Sequence, residues 1–122
     1  MPAIEVEFYT KENGEVPVQE FLDTLDEKMS AKVLRTIKML EKSGTTLREP
    51  YSKHISNSIF ELRAQVGTNI SRVLYFFIVN GRAVLTHGFI KKTQQTPQSE
   101  IDKAKRYRED YLRRLKKNDN KF

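Results

Sequence analysis

Four cations and an imidazole stand where they could act together on a phosphodiester. Arg63 lies in Phe60-Glu61-Leu62-Arg63, and Arg72 in Ser71-Arg72-Val73-Leu74-Tyr75. The pair Lys91-Lys92 closes the stretch Ala83–Ile90, and His54 follows Lys53. Such a set serves cleavage of RNA by its own 2′-hydroxyl. That reaction needs a base for the hydroxyl, an acid for the departing 5′-oxygen and cations for the charge that builds on phosphorus. A planar guanidinium forks onto phosphate oxygens, and imidazole changes charge near neutrality. The route needs no metal.

Each residue also has a plain alternative. Arg63 sits on the polar side of an alternating strand and could simply pair with Glu61 or a cross-strand acid. Arg72 has Leu74 and Phe76 beside it on its face, so it must find a partner or reach the rim. The two lysines could be a solubilising strand end, and His54 an exposed loop residue. His87 reads as a sheet residue, and Tyr75 and Tyr107 as packing residues. The apolar run that contains Phe76 and Phe77 suits a core better than base stacking.

The elements that must position these residues follow from periodicity and turn chemistry. Ile4–Phe8 alternates as a half-buried strand. Pro17 opens a helix carrying Val18, Phe21, Leu22 and Leu25 at helical spacing. A second helix, with Met29, Val33, Leu34, Ile37 and Leu40, closes at Ser43-Gly44, and the two are expected to form an αα-hairpin. Residues 45–58 read as irregular chain.

Three strands then form an antiparallel meander over 59–66, 70–79 and 83–90. The middle one is apolar on both faces, as a central strand is. Asn80-Gly81 is a strong hairpin signal. A two-residue turn there pairs 79 with 82 and sets Lys91 near Ile70 and Lys92 near Asn69. Thr96-Pro97 reads as cap and first residue of a last helix. Its stripe is Ile101, Ala104, Tyr107, Tyr111, Leu112 and Leu115, with residues 116–122 as a loose tail. The order β-α-α-β-β-β-α gives a single α+β domain over 1–122.

Composition narrows the class further. A chain of 122 residues, 38% hydrophobic, can build one core. It has no cysteine, so disulfides and thiolate metal sites are excluded, and its two histidines lack the spacing of a helical metal pair. The longest apolar run, Val73–Val79, falls far short of the ~20 residues of a membrane span. The N-terminal residues lack the basic and apolar regions of a signal peptide, so a cytoplasmic chain is expected.

The charge is distributed unevenly. Residues 1–90 hold 11 Lys/Arg against 11 Asp/Glu, whereas residues 91–122 hold 11 against 5, so the whole net charge of +6 lies in the last quarter. That block suits a polyanion, with Lys103, Arg106 and Arg113 as candidate RNA contacts. A solvated helix face with a basic tail is the plainer reading.

The segments Phe60-Glu61-Leu62-Arg63, Arg72-Val73-Leu74-Tyr75, His87-Gly88-Phe89-Ile90-Lys91-Lys92-Thr93-Gln94-Gln95-Thr96-Pro97 and Glu100-Ile101-Asp102-Lys103-Ala104 resemble, as a set, the phage-derived HigB-like branch of the RelE/ParE toxin superfamily. The resemblance spans about residues 50–115. It implies a RelE-like fold and a type II toxin neutralised by a cognate HigA-like helix-turn-helix antitoxin in a hetero-oligomer. It also implies ribosome-dependent cleavage of mRNA without a cofactor. The family's basic strand residues fall on Arg63 and Arg72, its post-strand basic pair on Lys91 and Lys92, and further basic or histidine positions on Lys53 and His54. The ParE branch shares the fold but inhibits gyrase, so fold alone does not decide function. A non-catalytic RNA- or DNA-binding module is the third reading.

Overall fold

Local chemistry sets the ends of the elements. The computed structural model describes residues 3–79, 81–91 and 95–119. Among these, the order is β1 (Glu5–Phe8), α1 (Pro17–Thr24), α2 (Glu27–Ser43), β2 (Ser52–Ser56), β3 (Ile59–Val66), β4 (Asn69–Ile78), β5 (Arg82–Ile90) and α3 (Gln98–Asp119). Pro17 occupies the first turn of α1, where its missing N–H costs nothing. Asp26 caps α2, its Oδ1 accepting from the Met29 N–H at 2.8 Å. Gly44 ends α2 at φ +57°, and its N–H bonds to the Leu40 carbonyl.

One mixed sheet runs in the order β1-β5-β4-β3-β2. Strands β2 to β5 are successive antiparallel neighbours, so the expected meander gains a fourth strand. Strand β1 pairs parallel with β5, Val6 beside Ala83 and Phe8 beside Leu85.

Strand β2 replaces part of the irregular connection expected over 45–58, and it moves Lys53 and His54 from a loop to a sheet edge. Ser-Lys-His-Ile-Ser lacks apolar alternation because both faces of this edge strand reach solvent in part. Its register with β3, Lys53 opposite Glu61 and His54 opposite Phe60, follows from a tight turn. Asn57 and Ser58 both take positive φ there, 41° and 68°, as a two-residue type I′ hairpin demands. Serine in the place usually taken by glycine hides that turn in the sequence.

The β4–β5 hairpin is wider than expected. Ile78 pairs with Arg82, leaving three residues between the strands; Asn80 lies outside the described residues. A bulge beyond Leu85 then shifts the register, so that Tyr75 pairs with Leu85 but Leu74 with His87. The two departures cancel. The Lys91 N–H reaches the Ile70 carbonyl at 3.0 Å, the adjacency expected from the narrower turn.

Helices α1 and α2 lie on one face of the sheet. Their main contacts are with the sheet, α1 over β5 and α2 over β3, instead of with each other as an αα-hairpin. Val18, Val33 and Leu40 pack there with Leu62, Val73 and Leu85. Gly88 is required in this layer, since a Cβ would stand 2.3 Å from a Phe21 ring carbon. Helix α3 covers the other face through Ala104 and Tyr111, against Leu74, Phe76 and Val84.

Strand β4 is thus covered on both sides, with Phe76 in one layer and Phe77 packed against the other. Leu112 is the exception to the α3 stripe, at 42% exposure. The helix continues through Lys116 and Lys117, so that part of the presumed tail is ordered helix. Among the described residues no helix is long and apolar enough to cross a membrane.

Candidate active site

Strand β3 places Arg63. Leu62 and Ala64 enter the α1–α2 layer, so by alternation Glu61 and Arg63 project toward the side that carries α3. The Arg63 side chain is 16% exposed and turns back along its strand, Nε donating to Glu61 Oε2 at 2.6 Å.

Arg72 stands directly across from Arg63 in the β3–β4 register and is fully buried. Its Nη1 donates to Glu61 Oε2 at 3.0 Å and Oε1 at 3.2 Å. Of its two sequence options, a partner or the rim, it takes the partner. A buried guanidinium does not touch a bound phosphate directly, so its charge would act from beneath the surface.

Thr96 closes the same group. Its hydroxyl donates to Glu61 Oε1 at 2.5 Å and accepts from Arg72 Nη1 at 3.4 Å. The expected capping role passes to Pro97, whose carbonyl accepts from the N–H groups of Glu100 and Ile101 at 3.1 and 3.2 Å.

Above this group lies a cleft of about 210 Å³ lined by Lys53, His54, Ile55, Arg63, Gln95, Thr96 and Ile101. It gathers three residues singled out in the sequence. His54 also borders a second cleft, of about 390 Å³, with Arg48, Ser52, Phe60 and Phe77. Its ring packs edge-on to Phe60 at 5.1 Å, and Phe60 belongs to the α1–α2 layer. The imidazole therefore stands on the opposite side of the sheet from the Arg63 guanidinium. In that layer the Tyr75 hydroxyl bonds to Ser52 Oγ, and burial pushes the phenol upward.

The remaining candidates are more scattered. Lys91 is exposed, two ladder positions beyond the Arg72–Phe89 pair, and does not line the cleft. Lys92 lies outside the described residues. On α3, Arg106 is exposed, Lys103 approaches Glu100 at 3.7 Å, and Arg113 pairs with Glu12 at 2.7 Å and Asp110 at 2.6 Å.

A second polar group escaped the sequence reading. His87 is buried, with Nδ1 3.1 Å from Thr86 Oγ1 and Nε2 3.1 Å from Glu100 Oε1. Burial lowers this imidazole to about 4, against the opposing pull of Glu100, so it is neutral at pH 7. Among the described residues no cluster of three His, Cys, Asp or Glu side chains could hold a metal ion. The cleft offers a fixed guanidinium, a lysine and neutral hydrogen-bonding groups, a set suited to an anion.

The model of the family described as Phage derived protein Gp49-like (DUF891) matches residues 20–109. The chain belongs to that family. The Gp49-like match covers every candidate residue except Arg113. A chain in the crystal structure of the archaeal RelE–RelB complex from Pyrococcus horikoshii OT3 superposes on this Gp49-like chain with a TM-score of 0.50 at 15% identity, over 76% of this chain and 99% of that one. That likeness shows the fold, a RelE-like α+β domain. Among curated proteins none matches the chain.

Proposed function

We propose that this Gp49-like protein is a toxin of the HigB type that acts in the cytoplasm. In this reading it cuts mRNA on the ribosome by metal-independent transphosphorylation and is neutralised by a cognate helix-turn-helix antitoxin. The observation that carries the reading is the cleft in which Lys53 and Arg63 converge beside Gln95 and Thr96. Arg63 holds the scissile phosphate and Lys53 binds the flanking backbone. Arg72 adds positive charge from beneath, and Lys91 with Lys92 meets RNA beyond the end of β5. His54 serves in proton transfer after its ring leaves Phe60. The uneven charge supports the same substrate class, since the excess sits in the segment that forms α3 and its approach.

The test is cleavage of an mRNA on programmed ribosomes, read by primer extension. Wild-type protein should give discrete cuts within codons, and Arg63→Ala should not. An intact message, together with inhibited supercoiling by gyrase, would move the protein to the ParE class.

A further inference from the structure

The proposed chemistry gives no part to Glu61, the carboxylate at the centre of the polar group beneath the cleft. It is fully buried. Donors from three separate segments meet on its carboxylate: Arg63 of β3 at 2.6 Å, Arg72 of β4 at 3.0 and 3.2 Å, and Thr96 ahead of α3 at 2.5 Å. Two guanidiniums share one carboxylate, so the group keeps a net positive charge in a water-poor setting.

Stability alone is a weak reason for such a group. Buried ion pairs are often replaced by apolar residues of similar volume at no loss, because desolvation cancels much of the attraction. What charged hydrogen bonds add is geometry, short and directional. Of the three donors, Arg63 is the arginine that reaches the cleft, at 16% exposure, whereas Arg72 has none. Binding Arg63 through Nε sets the plane of its guanidinium. Arg72 and Thr96 grip Glu61 from the neighbouring strand and from the segment leading to α3, so the carboxylate itself has no freedom to swing.

We propose that Glu61 is a positioning residue that aims the Arg63 guanidinium at the RNA phosphate, with Arg72 and Thr96 as its supports. This rests on the nuclease reading above. Arg72 then belongs to the support of the site, although residue type and spacing make it look like a direct phosphate ligand. A displacement of about 1 Å at a reacting group can cost on the order of 10²-fold in rate. Loss of the aim should therefore appear in the chemical step and not in ribosome affinity.

The experiment compares wild type with Glu61→Gln, Glu61→Asp, Thr96→Val and Arg63→Ala. Folding is checked by circular dichroism and gel filtration, ribosome binding by sedimentation, and cleavage by single-turnover kinetics on programmed ribosomes. Glu61→Gln should cut about 10²-fold more slowly at unchanged affinity, Thr96→Val should lose less, and Glu61→Asp should recover part of the rate. In parallel, 15N NMR should show a distinct, slowly exchanging Arg63 Nε–H in wild type and an averaged one in Glu61→Gln.

If Glu61→Gln does not fold, Thr96→Val decides, because it removes one hydroxyl and leaves both guanidiniums on the carboxylate. A folded Glu61→Gln or Thr96→Val that cuts at the wild-type rate, beside an inactive Arg63→Ala, overturns the positioning role and leaves the nuclease reading standing. A wild-type protein that cuts nothing overturns both, and a mobile Arg63 Nε–H in wild type overturns the positioning role by itself.

Discussion

His87 Nε2 lies 3.1 Å from Glu100 Oε1, which ties the last strand of the sheet to the first turn of α3. This contact couples the docking of α3 to protonation. The folded chain keeps the imidazole neutral down to about pH 4, because burial outweighs Glu100, while Lys103 and Arg106 further disfavour a charged ring. The unfolded chain takes up that proton near the ordinary histidine value of ~6.5.

Stability from neutral His87 is therefore fully present above about pH 6.5 and is lost as pH falls from there toward 4, by roughly 1.4 kcal/mol per pH unit. Denaturant midpoints of wild type and His87→Gln, measured from pH 7 to 4, check this. The variant should be less stable at pH 7 and should show a flatter decline over the window. Parallel declines would remove His87 as the source.

Arg63 and Arg72 should separate activity from folding. Arg63→Ala leaves Glu61 still held by Arg72 and Thr96, so the chain should fold and lose toxicity, with a rate loss of about 10²–10³-fold. Arg72→Ala strips the main support from a buried carboxylate and should cost roughly 3–5 kcal/mol. Growth arrest, soluble yield and thermal melts of the two variants test the pair. A stable Arg72→Ala protein would contradict the burial argument.

Cleavage should not depend on a metal ion bound at the scissile phosphate. The proposed chemistry draws its positive charge from arginine and lysine, so on programmed ribosomes an mRNA carrying a phosphorothioate at the scissile position should be cut no faster when Mn²⁺ replaces part of the Mg²⁺. A slow phosphorothioate reaction restored by Mn²⁺ would replace this mechanism.

The cations of α3 should differ in their response to salt. Arg106 is exposed, whereas Arg113 is already engaged by Glu12 and Asp110. Replacing Arg106 with alanine should lower the salt dependence of ribosome binding by about one unit if it meets a phosphate. Arg113→Ala should change it less, because that side chain must first leave its acids. Equal slopes for wild type, Arg106→Ala and a Lys103/Arg106/Arg113 triple variant would make the charged helix a solvated face.

The sequence by itself determined the parts governed by nearest neighbours along the chain. The positions of α1, α2, β1 and β3 to β5 follow from period, from Pro17 and from Gly44, and the polar side of β3 follows from alternation. The two-sided apolar pattern of β4 already marked it as central. The tertiary structure decided what depends on partners distant in sequence. An edge strand such as β2 has no apolar period of its own and exists through its ladder with β3. Strand β1 lies parallel beside β5, Glu5 opposite Arg82, a pairing with a partner far along the chain that no local pattern encodes.

The site divides along the same line. Residue type and spacing nominated Arg63, Arg72 and His54 and named Glu61 as a possible partner for Arg63, while the family resemblance added Lys53. Only packing could show that Glu61 receives donors from three segments, that Arg72 is wholly buried, and that His54 turns its ring to the other face. The physical reason is that a side chain's type states what it can bind, while its burial and orientation depend on which chain segment folds over it. For Glu61 that cover is the segment around Thr96, 35 residues farther along.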